Sequence, residues 1–314
     1  MSLRVVSLLP AATELVCAVG AGDQLVGVSH ECDYPADAVA GLPRLTRSRV
    51  GDPGSGAAID ADVRAVLEQA LSVFEVDARA LADVQPDVIV TQDLCDVCAL
   101  PRSAVQEALA SFGGDGVTLV SCSPTKLEHV RDDLRRVGAA LSRDAEAEAA
   151  LAAWDARVQH VRELVDGAPR RRVLTLEWFE PAMVGGTWMP ELVELAGGET
   201  LVTKAGEHAP TLTREELGAL DPAPDVVLAK PCGFALARAR DELPALRALV
   251  GGLPWPAVSE GEVWLADGNA FFNRPGPRLV ESLEILAAVI HPERCGEFVT
   301  RHAEHVERVM GRSL

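Results

Sequence analysis

Short apolar runs alternate with amphipathic segments along the whole chain. In the first half, these runs predict buried strands at RVVSLL, QLVGVS, PDVIVTQ and GVTLVS. The segments between them, among them ADVRAVLEQAL, carry apolar residues at helical spacing. The second half repeats the alternation, with strands predicted at RRVLTLEW, PDVVLAK and EVWLAD. Such alternation is typical of an α/β protein, and here it predicts two Rossmann-like lobes with mostly parallel sheets.

A long amphipathic segment separates the two halves. In SPTKLEHVRDDLRRVGAALS, the residues at helical spacing are Leu127, Val130, Leu134, Val137 and Leu141. A helix of this length spans roughly 27 Å at about 1.5 Å per residue, which is enough to join two lobes. The predicted organisation is therefore an N-terminal lobe at 1–122, a connecting helix at 123–142 and a C-terminal lobe at 143–314.

The charge balance argues against some classes of partner. Of the 314 residues, 48% are hydrophobic and 24% are charged, as in ordinary soluble proteins, and the formal net charge is -18. A chain this acidic repels phosphate backbones and anionic lipid surfaces. We therefore expect no nucleic-acid partner and no membrane insertion.

The N-terminal run, MSLRVVSLLPAATELVCAVGAG, has two interpretations. Pro10 and Glu14 interrupt its apolar stretch, which favours a strand followed by a helix over a secretory signal. The chain has seven cysteines, an odd number that fits a reducing compartment better than a disulfide framework. These features predict a cytoplasmic protein. The alternative is an exported protein whose N-terminus acts as an atypical signal.

Polar and aromatic residues follow several predicted strands directly. In open α/β sheets, ligands bind outside the carboxyl ends of the strands, so these residues are candidates for a binding site. In the first lobe they are His30, Glu31, Cys32, Asp33, Tyr34, Gln92 and Asp93. In the second lobe they are Glu177, Trp178, Trp188, Cys232, Phe271, Phe272 and Arg274. The aromatic members suit a flat ligand with a large apolar area, held in a cleft between the lobes.

Cys95 and Cys98, in TQDLCDVC, leave three interpretations open. The first is a redox pair at the start of a helix. The second is a zinc or iron site shared with Cys32, to which His30 or Cys232 would add a ligand. The third is a pair of small polarisable side chains that shape the cleft. His30 itself is either a ligand to cobalt or iron, or a loop histidine bonded to the backbone.

Familiar catalytic motifs are missing from the sequence. It contains no GxSxG, no P-loop and no HExxH. We therefore assign no catalytic residues and predict a binding protein that does not turn its ligand over. The alternative is a metal-dependent enzyme or metal-handling protein, in which the cysteines hold zinc or iron and nearby carboxylates act on a small substrate.

Four stretches resemble the class III, periplasmic-type solute-binding proteins, the family that includes the cobalamin and ferric-siderophore binders. The stretches are VVSLLPAATELVCAVGAGDQLVGVSHECDYP, PDVIVTQDLCDVC, LEWFEPAMVGGTWMPELVELAGG and FFNRPGPRLVESL. They lie from one end of the chain to the other, so the resemblance covers nearly all of it. Within the family, the chain is similar to the cobalamin-binding-like branch that lacks a signal peptide.

The resemblance implies a corrinoid, or another metal chelate, held between two α/β lobes that are joined by one backbone helix. The aromatic walls of a corrinoid site would fall near Glu31, Trp178 and Phe271, of which only the last two are aromatic. Exported members dock onto an ABC permease through one surface glutamate on each lobe. Glu215 fits the second-lobe position, whereas Arg79 reverses the charge at the first-lobe position. Because arginine repels permease arginines, the resemblance leaves permease docking doubtful.

Overall fold

The chain forms two compact units. A computed structural model describes residues 2–51, 54–68, 73–92, 102–111, 114 and 116–310. Unit 1 comprises Met1–Pro53, Ala58–Trp154 and Pro275–Pro277, and unit 2 comprises Gly54–Ala57, Asp155–Arg274 and Arg278–Leu314. The main boundary lies inside a helix, between Trp154 and Asp155, rather than at the ends of the predicted connecting helix. The segment that joins the lobes stays a prediction.

Unit 1 is built on a parallel sheet. Its strands are β1 (Val5–Ser7), β2 (Leu25–Val28), β3 (Thr46–Ser48), β4 (Phe74–Val76), β5 (Val88–Gln92) and β6 (Thr118–Cys122). Its helices are α1 (Pro10–Ala18), α2 (Ala36–Val39), α3 (Gly56–Glu68), α4 (Ala78–Asp83), α5 (Arg102–Ser111), α6 (Leu127–Ala140) and the first part of α7 (Asp144–Val165). The first two residues of α3, Gly56 and Ala57, belong to unit 2. Four strands form the parallel sheet in the order β2–β1–β5–β6, and β3 pairs with β4 in a separate antiparallel ribbon.

Both faces of the parallel sheet are buried, which explains the continuous apolar runs of its strands. Val5, Val88 and Val90 lie in one hydrophobic cluster together with residues of α1 and α6. Val6 and Ile89 lie in a second cluster together with residues of α4 and α5. Successive side chains of a strand point to opposite faces, so the two clusters cover the two sides of the sheet. The N-terminal run folds as the predicted strand and helix, β1 and α1.

Unit 2 is built on a larger sheet of mixed direction. Its strands are β7 (Arg171–Phe179), β8 (Ala182–Val184), β9 (Gly198–Thr200), β10 (Thr211–Leu212), β11 (Val226–Ala229), β12 (Val263–Ala266) and β13 (Val306–Met310). Its helices are the second part of α7, α8 (Met189–Leu195), α9 (Arg214–Gly218), α10 (Leu236–Ala239), α11 (Leu243–Val250), α12 (Pro256–Ser259), α13 (Leu279–Ile290) and α14 (Gly296–Arg301).

The two sheets confirm the predicted α/β fold and correct one detail of it. In unit 2 the strand order is β10–β8–β7–β11–β12–β13, and β9 pairs with β7. The contacts of β7 with β9 and β11, and of β11 with β12, are parallel, as predicted. However, β8, β10 and β13 pair antiparallel to their neighbours. A tight turn joins β7 directly to β8, and such a short connection permits only antiparallel pairing.

Helix α13 lies at the core of unit 2. Every residue of this helix except Glu281 is buried. Its polar residues must therefore find partners inside the unit, as described below for Glu284. No helix among the described residues, α13 included, is both long and apolar enough to cross a membrane.

Candidate ligand-binding site

His30 lies at the carboxyl end of β2 and is held by the β3–β4 ribbon. Its Nδ1 lies 2.7 Å from the hydroxyl oxygen of Thr46, and its backbone N–H donates to the same oxygen at 3.0 Å. Its ring lies 5.5 Å from the ring of Phe74, centroid to centroid, at an angle of 53°. Thr46 belongs to β3 and Phe74 to β4, so both strands of the ribbon fix this imidazole.

The surroundings of His30 keep its imidazole neutral near pH 7. Burial lowers the pKa of the ring below its usual value of 6.5, and the positive charge of Arg44 lowers it further. With Nδ1 at the Thr46 hydroxyl, Nε2 is the ring nitrogen that faces away from this partner. A neutral imidazole whose other nitrogen is anchored is a suitable metal ligand.

Cys32 lies two residues later, but inside the core of unit 1. It is 1% exposed, the hydroxyl of Thr13 lies 3.1 Å from its sulfur, and its thiol donates to the Ser29 hydroxyl at 3.4 Å. Burial raises the pKa of this thiol. The guanidinium of Arg44 donates to the carbonyls of Ser29 and Cys32, which fixes the loop that carries His30. Cys32 is therefore a neutral core thiol, whereas a metal ligand would be a thiolate.

The predicted metal site has no complete ligand set in the part of the chain that the structure describes. No group of three histidine, cysteine or acidic side chains in that part is placed to hold a metal ion. Cys95 and Cys98 lie outside the described residues, as does Asp93. A zinc or iron site at the CxxC motif, shared with Cys32, therefore stays a prediction.

The remaining candidates in unit 1 differ in exposure. Glu31, Asp33 and Tyr34 are exposed in the loop after His30, with Tyr34 at 44%. Gln92, the last residue of β5, is buried at 5% exposure. The exposed side chains are accessible to a ligand, while Gln92 belongs to the packed end of the sheet.

Unit 2 brings together a cluster that the sequence analysis did not foresee, formed by Glu177, Lys230 and Asn273. Lys230, the residue after β11, is fully buried. Its Nζ donates to Glu177 Oε1 at 2.8 Å and to Asn273 Oδ1 at 2.7 Å. The signal in the sequence was a charged residue at the end of the apolar run PDVVLAK, one of only three lysines in the chain.

Trp178 is half-buried beside this cluster. Its ring lies 5.3 Å from the ring of Phe234, and the guanidinium of Arg238 lies 4.3 Å from the same phenyl ring. Gly56, which also belongs to unit 2, lies close to Trp178, since a Cβ added there would come within 3.2 Å of Trp178 Cζ2. The indole Nε1 is buried and has no hydrogen-bond partner among the described residues. Among the four predicted aromatics of unit 2, Trp178 is thus the one that keeps a partly accessible surface.

The other three predicted aromatics of unit 2 are packed inside it. Trp188 is 5% exposed and donates from Nε1 to the carbonyl of Phe272 at 2.7 Å, while Phe272 is 1% exposed. Phe271 is 5% exposed, and its ring lies 4.8 Å from that of His305 and 5.1 Å from the guanidinium of Arg278. These rings therefore have a packing role and lack the open face that stacking on a ligand requires. This corrects the expectation that they line a binding site.

Arg274 and Cys232 also follow strands of unit 2. Arg274 is 8% exposed and donates to Asn269 Oδ1 at 2.8 Å, so its guanidinium serves the loop after β12. Cys232 is exposed, and its backbone N–H donates to the Glu177 carbonyl at 3.0 Å. Cys232 thereby links the loop after β11 to β7.

Both residues considered for permease docking are exposed. Glu215 lies in α9, whose first turn is stabilised by a capping box between Thr213 and Glu216. Arg79 lies in α4. The reversed charge at Arg79 is therefore accessible at the protein surface. Docking onto a permease stays a prediction.

Comparison with known proteins identifies the family. The sequence profile described as periplasmic binding protein matches residues 5–264, which is most of the chain. The chain belongs to the periplasmic binding protein family. This confirms the resemblance to the periplasmic-type solute-binding proteins, and with it a solute-binding role, while the branch that lacks a signal peptide stays a prediction.

The similar proteins include binders of two different metal chelates. The chain is 23% identical over 280 residues to the vitamin B12-binding protein of Yersinia pestis (strain Pestoides F), covering 88% of this chain and 82% of that protein. A periplasmic heme binding protein from Pseudomonas aeruginosa has a similar structure, with a TM-score of 0.69, 23% identity and 94% of each chain covered. The periplasmic vitamin B12 binding protein of Vibrio cholerae gives a TM-score of 0.64 at 20% identity, covering 92% of this chain and 96% of that one. At these identities the two structures establish the shared fold.

Proposed function

We propose that the protein reversibly binds a metal-chelate macrocycle, a corrinoid or a heme, and that Nε2 of His30 coordinates the metal. The observation that carries the proposal is the imidazole at the carboxyl end of β2, neutral and anchored at Nδ1 by Thr46. Relatives that bind vitamin B12 or heme support a ligand of this class.

The chemistry of His30 suits the metals of both ligands. Cobalt and iron at the centre of a planar chelate bind nitrogen ligands along the axis of the ring. Such a ligand must be deprotonated, and the lowered pKa of His30 keeps it so at neutral pH. The Thr46 contact fixes the orientation of the imidazole, which reduces the entropy lost on binding. We assign no catalytic step to the side chains of the site.

The proposal is tested by titrating the full chain with aquocobalamin and, separately, with hemin, and recording the visible absorption spectrum. We expect binding at micromolar concentration, with a band shift that reports an imidazole on the metal. His30→Ala should lose the shift and bind at least about tenfold more weakly. His129→Ala is the matched control, because His129 in α6 also has a threonine hydroxyl, that of Thr125, 3.2 Å from its Nδ1.

Two results would count against the proposal. If neither chelate binds at micromolar concentration, the ligand class is wrong. If a chelate binds and His30→Ala leaves both the band shift and the affinity unchanged, the ligand class stands and the role of His30 is wrong. The cytoplasmic location stays a prediction.

A further inference from the structure

Arg44 of unit 1 is held by the loop that carries His30. One nitrogen of its guanidinium, Nη1, donates to the carbonyls of Ser29 and Cys32, at 3.1 and 2.6 Å. The backbone of Arg44 also forms a parallel β-bridge with Val28, the last residue of β2. The arginine is therefore anchored both at its main chain and at one nitrogen of its side chain.

Arg44 lies on the same side of its segment as the residue that orients His30. Arg44 and Thr46 both take part in strand pairing, so the segment between them is extended, and residues two apart on such a segment point to the same face. Thr46 is the partner of His30 Nδ1. The positive charge of Arg44 lowers the pKa of His30, which places the guanidinium within electrostatic reach of the imidazole.

One edge of the Arg44 guanidinium is available to a ligand. Arg44 is exposed, and its Nε and Nη2 have no hydrogen-bond or ion-pair partner among the residues that the structure describes. These two nitrogens form one edge of the planar group, and their parallel N–H bonds match the two oxygens of a carboxylate. Glu31 and Asp33 are the acidic residues of the neighbouring loop, and neither is bonded to Arg44. Arg44 is therefore an oriented, accessible cation.

We propose that Arg44 pairs with a carboxylate on the rim of the chelate that His30 coordinates, and that the site thereby selects a heme with propionates over a corrinoid with amide side chains. The inference rests on the proposed function and refines it. The net charge of -18 repels anionic ligands at long range, so a ligand carboxylate needs a local cation, which Arg44 supplies. A ligand amide offers the same guanidinium a single neutral acceptor, which forms a weaker bond.

The test compares two porphyrins with the same ring and the same iron. One is hemin, and the other is its dimethyl ester, in which both propionates are neutral. Affinities of the full chain are measured at pH 7 by visible absorption, with the same buffer and detergent for both ligands. We expect the wild-type chain to bind hemin at least about tenfold more tightly than the ester. The ester keeps the iron, so it should still show the band shift that reports His30.

Variants of Arg44 separate pairing with the ligand from support of the loop. Arg44→Gln should reduce the preference for hemin to about threefold or less, because it weakens hemin and leaves the ester nearly unchanged. Arg44→Lys keeps the charge but lacks the two-nitrogen edge, so its preference should be intermediate. Arg47→Gln is the matched control, because it removes the same charge from a β3 residue that pairs with Glu75, and it should keep the full preference. Circular dichroism checks that each variant is folded.

The outcomes distinguish this inference from the proposed function. If wild-type protein binds hemin and its ester equally, or if Arg44→Gln weakens both alike, the pairing is wrong and the function stands. A preference for aquocobalamin over cobinamide, which lacks the phosphodiester, would overturn the carboxylate in favour of a phosphate if Arg44→Gln removed it. If a corrinoid binds and hemin does not, the inference is overturned within the same ligand class. If none of these chelates binds, the proposed function itself is wrong.

Discussion

At the scale of single residues, His30 shows how a neighbour defines the chemistry of a side chain. Its sequence position after β2 made it a candidate, but Thr46 and Phe74 lie far along the chain and could not be paired with it from spacing. Burial and the charge of Arg44 then lower its pKa and leave it neutral. Sequence position therefore made His30 a candidate, and the structure adds the partners that orient its ring.

Thr46→Val should weaken binding of the metal chelate without unfolding unit 1. Thr46 is 6% exposed, and valine has nearly the same shape, so the substitution mainly removes the hydroxyl at 2.7 Å from His30 Nδ1. Loss of such an outer partner of a metal ligand typically costs about 10- to 100-fold in affinity. Titration with aquocobalamin or hemin measures this loss, and Thr125→Val, next to His129, is the control. Equal affinity of Thr46→Val and wild type would remove the anchoring role of Thr46.

For the aromatic residues of unit 2, sequence position did not distinguish a binding site from the core. Trp188, Phe271 and Phe272 were predicted to contact a ligand, yet all three are nearly inaccessible. An aromatic ring in a core and one in a binding site have the same sequence signature, because both pack against apolar surface. Lys230 was missed for a related reason. Burial of a lysine depends on its acceptors, and Glu177 and Asn273 are distant in sequence.

At the scale of elements, Glu284 connects three helices of unit 2. This glutamate lies in α13 at 1% exposure, and Oε1 accepts from Nε of Arg157 in α7 at 2.8 Å. Oε2 accepts from Nη1 of Arg301, the last residue of α14, at 3.1 Å and lies 2.8 Å from Nε2 of His302. The carboxylate is paired on every side, which is the condition under which a buried charge is tolerated.

The pairing of Glu284 gives unit 2 a stability that depends on pH. Burial alone would raise the pKa of this carboxyl, but hydrogen bonds from His302 and Arg157 outweigh it and lower the pKa from 4.5 to about 2. Because the unfolded chain binds more protons between these two values, the contribution is complete above about pH 4.5 and disappears as the pH falls towards 2. At about 1.4 kcal/mol for each pKa unit, the contribution amounts to about 3 kcal/mol.

Glu284→Gln should therefore lower the free energy of unfolding at pH 7 by about 3 kcal/mol. The variant should also lose most of the pH dependence between 4.5 and 2. Urea denaturation at several pH values, followed by circular dichroism, measures both effects. Glu297→Gln is the control, because Glu297 pairs with Arg301 and His160 at the surface, where ion pairs contribute under about 1 kcal/mol. A variant with wild-type stability at pH 7 would show that the network is not stabilising.

The strands show which elements can be predicted from a sequence. In unit 1, β1 and β5 were predicted because both faces of their sheet are covered, which requires continuous apolar runs. In unit 2, β8, β10 and β13 were not predicted. β10 has two residues, and β13 carries Glu307 and Arg308 among its five, so neither gives an apolar run. Such strands are defined by their partners, which lie elsewhere in the chain.

At the scale of the whole molecule, charge and fold constrain the ligand to different degrees. The net charge of -18 disfavours anionic ligands by long-range repulsion. Binders of vitamin B12 and of heme share this fold, so the fold leaves the choice between them to individual side chains.

The most direct test of the account is the visible spectrum and metal content of the full chain, purified from its own cells and then mixed with aquocobalamin or hemin. The account predicts corrinoid or heme bands that remain with the protein through gel filtration, together with about one cobalt or iron atom per chain. A protein that stays colourless under all these conditions would contradict it. Zinc that is then lost on Cys95→Ser and Cys98→Ser substitution would show instead that the CxxC motif is the metal site.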